Sequence, residues 1–414
     1  MPQQFTCAQV QEAVRTLGDE ALQWLQDMIE FESVQGNEAG VQDYTRQVME
    51  HVGLTPQYRE IPDSLMGDPE YSHNENEMPY AGRYNVVDTW GADEGRSVIL
   101  QSHTDVIPGG EWQEAFTPRF DGTYVYGRGA TDCKGPVVMM ILALAALKKL
   151  GFEPRGRIES QFVIEEEVGG NGALALIRQG CKADAVIIGE GSLLNVFPAN
   201  RGALWFKLTT YGKSLHMGRR NEGVNAIEKM MEAARHILDY EQELIRESLN
   251  YPLFERYEAP VQICLGMISA GNWPSMVPDE CTMEGGVGFL PNKSKSQIEH
   301  ELEQAILRTD DEWLRGHYKL TFDKLRNDAY ESDPNHPLVV GLHQTAVECG
   351  IDSEIFGWNV SCDARLYAKL GGMTTMVYGP GTIADAHAAG EKVEWRQVID
   401  GAAALALTLS RWCG

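Results

Sequence analysis

Five short stretches of this chain carry side chains able to hold a metal ion. VILQS (98–102) runs into His103-Thr104-Asp105, and RIESQFVI (157–164) runs into Glu165-Glu166-Glu167. AVIIG (185–189) runs into Glu190, TTMVYG (374–379) leads through a Gly/Pro turn to His387, and Asp132 sits in the turn GRGATDCKG. Imidazole mixed with carboxylate suits zinc, manganese or cobalt. His103, Asp132, Glu167, Glu190 and His387 together bring three negative charges against the four positive charges of two divalent ions. Such a site keeps a net charge near +1 and can ionise a water, whose pKa falls from 15.7 to about 7 on a bound dication. Glu166, beside a ligand, is the spare carboxylate that could take the proton.

Each residue alone has a plainer reading. A histidine in a Gly-rich loop is usually a hydrogen-bonded structural residue, Glu190 could cap a helix, and Asp132 between Gly129 and Gly135 could mark only a turn. Cys133 reads as a small packed residue. A run of three glutamates is usually a solvated face, but this one directly follows a strand that should be buried. The joint order H-x-D, D-x-K-G, E-E-x-G-G, G-E and a late His carries the metal reading.

The elements that must position these residues alternate in kind. Helix-period stretches fall at about 9–30, 38–52, 136–150, 170–179, 222–248, 294–308, 335–349 and 395–411, with the β-rich runs between them. That alternation predicts an α/β fold with a mostly parallel, covered sheet. Ligands then bind beyond the carboxyl ends of the strands, and if these strands are parallel and adjacent, two histidines and several carboxylates converge at one edge. The stretch 136–150 is apolar nearly all round and should be buried. From about 200 to 325 the pattern changes to strands with two amphipathic helices, which predicts an inserted α+β domain serving as a lid or dimerisation surface. The expected organisation is a catalytic domain split into 1–199 and 326–414, interrupted by an insertion at 200–325. The turn-rich stretch 62–82 is expected to be a long surface loop.

Composition bounds the remainder. The 414 residues are 43% hydrophobic, enough for a substantial core. Sixty acidic against 35 basic residues give a net charge of −25, which argues against nucleic acid or an anionic membrane as partner. The longest apolar run, 137–147, is too short to span a bilayer, and the first residues lack the pattern of a signal peptide. Eight scattered cysteines without a C-x-x-C pair read as reduced thiols, and the expected location is the cytoplasm.

The stretches SHTDVIP, YGRGATDCKGP, IEEEVGG, IIGEGS, YGKSLHMG and YGPGTIADAHAAGE, in that order, resemble the co-catalytic metallohydrolases that include succinyl-diaminopimelate desuccinylase, acetylornithine deacetylase, aminoacylase and carboxypeptidase G. The likeness runs from about Asn85 to the C-terminus. It implies that His103 and Glu190 hold one metal, that Glu167 and His387 hold the other, and that Asp132 bridges them. It implies Glu166 as general base and acid, with Asp105 orienting His103. His216 would stabilise the oxyanion, and in dimeric members this histidine comes from the neighbouring subunit. The peptide bond after Asp132 is commonly cis in the family.

Two departures bear on substrate. Amino-acid-handling members carry an arginine that grips a substrate carboxylate where this chain reads GGVGFLP, with Gly288 at that place. Arg201 and Arg219 are the substitutes at hand. QSH also replaces the more usual small-Gly-His before the aspartate. The expected activity is hydrolysis of a C–N bond in a small molecule, most simply an N-acyl amine. The alternatives are release of ammonia from an activated aromatic amine, and a dipeptidase or carboxypeptidase. A homodimer through the insertion is expected on the resemblance. A non-catalytic scaffold would have lost ligands or the base, and none is missing.

Overall fold

The computed structural model describes residues 5–74 and 76–414. A nine-stranded sheet organises the larger part. Its order from one edge is Gln57–Glu60, Tyr84–Trp90, Ile158–Val163, Val98–His103, Ala185–Ile188, Thr374–Val377, Val196–Asn200 and Tyr330–Glu331, with Ile355–Trp358 also on Val196–Asn200. The four central strands are mutually parallel, and antiparallel strands flank them on both sides. Val98–His103 and Ala185–Ile188 are buried at every position, as expected of strands covered on both faces.

One cover is the helix Lys134–Lys149, whose residues are buried from Lys134 to Leu147. Its near-continuous apolar run leaves no polar face, so it can only sit inside. The Lys134 ammonium is satisfied by the carbonyl of Phe31 at 2.8 Å. Truncating a residue such as Leu142, wholly buried here, should cost about 2–5 kcal/mol. The C-terminal helix Trp395–Cys413 lies against it, and the approach depends on Gly401. A Cβ there would meet Met139 Sδ at 2.8 Å and Leu194 Cδ2 at 2.7 Å.

A separate antiparallel sheet orders Gln262–Ala270, Glu280–Phe289, Gly202–Tyr211 and Tyr318–Thr321, and Arg326–Asn327 also pairs with Gly202–Tyr211. Helices Ala226–Glu247 and Lys295–Ile306 supply Met230, Ile237, Leu244, Ile298 and Leu302 to a core with Leu204, Phe206 and Leu208. Strand alternation puts Trp205 and Lys207 on the opposite, uncovered face. The fold is thus the expected split α/β arrangement with an inserted α+β unit.

Three local expectations need correction. The stretch 9–30 is two helices, Cys7–Arg15 and Gly18–Glu30; Thr6 and Gln9 form a capping box at the start of the first. The turn-rich stretch 62–82 is not simply a surface loop, because it holds a short 3-10 helix, Asp63–Gly67, and buries Tyr71, Ser72 and Tyr80. Cys7 and Cys349 are disulfide-bonded with Cα atoms 5.7 Å apart, so the cysteines are not all reduced thiols. Their separation of 342 residues left no pattern in the sequence to read. Among the described residues, no helix is long and apolar enough to cross a membrane.

Candidate metal centre

Because the four central strands are parallel, their carboxyl ends share one edge, and the turns that follow deliver the polar side chains there. His103 ends its strand and is 1% exposed. Its Nδ1 faces the backbone carbonyl of Asp105 at 3.0 Å, so the proton belongs on Nδ1 and Nε2 is free to ligate. Nε2 lies 3.0 Å from Asp132 Oδ1 and 3.7 Å from Glu190 Oε1. On the other side of Asp132, Oδ2 lies 3.3 Å from His387 Nε2, which is 2.9 Å from Glu167 Oε2. Two donor groups with convergent atoms therefore share Asp132: His103, Asp132, Cys133 and Glu190 form one, and Asp132, Glu167 and His387 the other. The Asp132–Cys133 peptide bond is cis. Cys133, read from sequence as only a packed residue, directs its thiol to Glu190 Oε2 at 2.8 Å.

The electrostatics fit divalent ions. Burial and the neighbouring Asp132 charge push Glu190 up to about 8 and Glu167 up to about 7. Burial would raise Asp132 too, but hydrogen bonds from His103 and His387 overcome it and hold its carboxyl below the usual range. Hydrogen bonds to Asp132 and Glu167 raise His387 to about 10. Glu167, Glu190 and His387, crowded around Asp132, hold protons that cations would displace, and the mixed nitrogen–oxygen set suits zinc, manganese or cobalt.

Glu166 stands next to this cluster. Burial, with the charges of Asp363, Glu190 and Glu167 behind it, lifts its carboxyl well above the ordinary range. Asp105 does more than face His103. Its carboxylate accepts the backbone N–H groups of Glu166 at 3.2 Å and Glu167 at 3.1 Å, fixing the turn that presents both.

Sequence reasoning missed the supports of this turn. Glu165, with φ of +63°, points away from the cluster into a buried network. There it accepts Arg83 Nη2 at 2.6 Å, the Tyr80 hydroxyl at 2.5 Å and Asn171 Nδ2 at 3.0 Å, while Arg83 Nε also binds Glu38 at 2.9 Å. Glu391 was missed as well. Its Oε1 accepts the backbone N–H groups of Gly129, Thr131 and Asp132, and its Oε2 pairs with Arg128 at 2.6 Å. Its place four residues after His387 was the one signal available.

The unusual QSH is put to use. Gln101 Nε2 donates to Asp363 at 2.8 Å, and the Ser102 hydroxyl donates to the carbonyl of Gly189 at 2.9 Å. Burial pushes Asp363 up to about 6.

Three sequence candidates lie outside the cluster. His216 is exposed on the inserted unit, where its ring Nδ1 accepts the Gly218 N–H at 3.2 Å. Arg219 is exposed and paired with Glu222. Arg201 occupies the space over Gly288, where a Cβ would meet its Nη1 at 2.9 Å, and its buried Nε has no hydrogen-bond partner among the described residues.

Comparison with known proteins gives the family. A model of peptidase family M20/M25/M40 matches residues 99–411. N-formyl-4-amino-5-aminomethyl-2-methylpyrimidine deformylase of Bacillus subtilis (strain 168) is 28% identical over 362 residues, covering 81% of this chain and 84% of the relative. A probable succinyl-diaminopimelate desuccinylase of Staphylococcus aureus (strain N315) is 24% identical over 404 residues, covering 91% and 93%. Among solved structures, a tripeptidase from Staphylococcus aureus superposes with a TM-score of 0.73 at 18% identity, over 96% of this chain and 98% of that one.

Proposed function

The chain belongs to the M20/M25/M40 peptidase family, metallohydrolases that act on carbon–nitrogen bonds, and on that footing we propose that it is a two-metal deacylase releasing a formyl or other short acyl group from the nitrogen of a small amine. The observation that carries this reading is the pair of donor groups sharing Asp132, with Glu166 beside them. Divalent ions bound there would supply a water of lowered pKa and positive charge for the oxyanion. His103 and Glu190 would hold one ion, Glu167 and His387 the other, and Asp132 both.

The chain's own residues account for the proton. Glu166 takes it from the attacking water and returns it to the departing nitrogen, and the raised proton affinity of its buried carboxyl suits both halves of that task. Asp105 keeps Glu166 at its post through the backbone of the turn. His216 would donate to the oxyanion from a second copy of the chain, since it stands outside the cluster of its own. Gly288 supports a deacylase over an enzyme that grips an amino-acid carboxylate at that place.

The test is a screen of protein reconstituted with zinc, cobalt or manganese across formamides, N-acetyl amines, acylated amino acids, dipeptides and aromatic amines. The expected products are a short carboxylic acid and a free amine in equal amounts. Ammonia from an aromatic amine, with no acid formed, would assign an aminohydrolase instead, and free amino acids from dipeptides alone would assign a peptidase.

A further inference from the structure

The strand Glu280–Phe289 contains three glycines, Gly285, Gly286 and Gly288, in its last half. Glycine weakens a strand interior and marks places where another group approaches the backbone closely. Gly286 and Gly288 share the face of the sheet opposite the helices Ala226–Glu247 and Lys295–Ile306. Above Gly288 the space is taken by the Arg201 guanidinium. Above Gly286 it is bordered by the indole of Trp205, whose Cδ1 would lie 3.3 Å from a Cβ at that position.

Trp205 is 51% exposed although it is the largest apolar side chain on this face. It lines a cavity of about 600 Å³ together with Glu167, Ser72 and Leu325. It also lines a second cavity of about 470 Å³, with Gly285, Gly286 and Met267. The indole therefore borders both the space that opens on the candidate metal ligand Glu167 and the neighbouring cavity lined by the bare backbone of Gly285 and Gly286. An exposed tryptophan in a cleft offers a large, rigid, flat contact surface, and planar groups gain most from it by stacking.

We infer that Trp205 and the strip at Gly286 form a substrate subsite for a planar aromatic ring, so that the amine carries a ring, carbocyclic or heterocyclic, on the side away from the bond being cleaved. The identification of that ring as part of the released amine rests on the deacylase reading; the ring subsite itself does not. Gly286 leaves room beside the indole that any side chain would fill. Arg201 closes the far end of the strip at Gly288.

The test is equilibrium binding, which needs no turnover. Benzylamine and cyclohexylmethylamine are titrated calorimetrically into the full-length, metal-loaded protein. The two probes share the ammonium group and differ in flatness. The aromatic probe should bind about tenfold more tightly to the wild type. That preference should vanish in Trp205→Leu, return in part in Trp205→Phe, and fall in Gly286→Val, which fills the seat while favouring a strand. Circular dichroism and retained metal content establish that each variant is folded. Equal affinities in the wild type, no binding of either probe, or a preference that survives Trp205→Leu would overturn the inference. So would a change in molecular mass in Trp205→Leu without a change in ring preference, because the indole would then cover a second copy of the chain. Failure of the deacylase reading shows differently, as an absence of acid product from every amide, and leaves the binding preference intact.

Discussion

The carboxylate of Glu391 accepts the backbone N–H of Asp132 at 3.2 Å, so the residue shared by both donor groups is held by a side chain 259 positions further along. The same oxygen accepts Gly129 N–H at 2.9 Å and Thr131 N–H at 3.1 Å, and the other oxygen pairs with Arg128. Both partners of that pair are inaccessible to water, at 4% and 0% side-chain exposure. Glu391→Ala strands a buried guanidinium and three backbone donors. It should cost about 3–5 kcal/mol in urea denaturation and weaken metal binding about 10–100-fold. Glu391→Gln, which keeps one accepting oxygen, should fall between the variant and the wild type. An Ala variant with unchanged metal affinity would remove Glu391 from the support of Asp132.

Glu166→Gln separates proton transfer from metal binding. The amide preserves the shape of the side chain but cannot take a proton, so turnover should fall about 10²–10⁴-fold. Metal content measured by plasma emission should stay at the wild-type value, because Glu166 belongs to neither donor group. Retained turnover in this variant would mean another group carries the proton.

His216 is exposed and belongs to neither donor group among the described residues, which sets up a complementation test. His216→Ala and Glu166→Gln should each be nearly inactive alone. If a second copy supplies His216, subunit exchange between the two variants creates mixed dimers in which one site has both Glu166 and His216 of the partner subunit intact. Activity should then reappear on mixing, and a mass measurement should give a dimer. Two inactive variants that stay inactive after verified exchange would show that His216 does not act from the partner subunit, and full activity of His216→Ala alone would place it outside the reaction.

Although Asp132 follows Tyr124–Tyr126 of a separate three-stranded sheet and His387 lies ten residues beyond Val377, the candidate ligands His103, Glu167 and Glu190 each end or closely follow a strand of the parallel sheet, and that made them legible in the sequence. What supports them was not. Which member of Glu165-Glu166-Glu167 faces inward depends on the left-handed turn at Glu165, and nothing in three identical residues discloses it. Glu391 and Asp363 act on residues about 260 positions away, a distance across which spacing carries no information. The burial of Tyr71 and Tyr80 was hidden for a similar reason. Their stretch is full of turn residues, yet Tyr80 reaches Glu165 to complete its network. The Trp205 subsite needed the register of two strands before Gly286 could be seen to lie under the indole.

The response to pH in the absence and presence of metal follows from the crowding of the site. In the metal-free protein Glu167 and Glu190 are raised from 4.5 to about 7 and about 8, by burial and the Asp132 charge. His387 is raised from 6.5 to about 10 by hydrogen bonds to Asp132 and Glu167. All three folded values lie above the unfolded ones, so their contribution to stability is complete below the unfolded values and is lost as pH rises through the folded ones. Asp132 is shifted the other way, but its window lies in acid, below its ordinary 3.8. Between about pH 6 and about pH 9 the metal-free protein should therefore lose stability steadily. Metal binding requires these ligands without their protons, so affinity rises over the same interval. The increase in melting temperature on adding zinc should thus grow from about pH 6 to about pH 9. Differential scanning fluorimetry of chelator-treated protein, with and without zinc, reads both trends. An increment that stays constant or shrinks with pH would show that protons and metal do not compete for Glu167, Glu190 and His387.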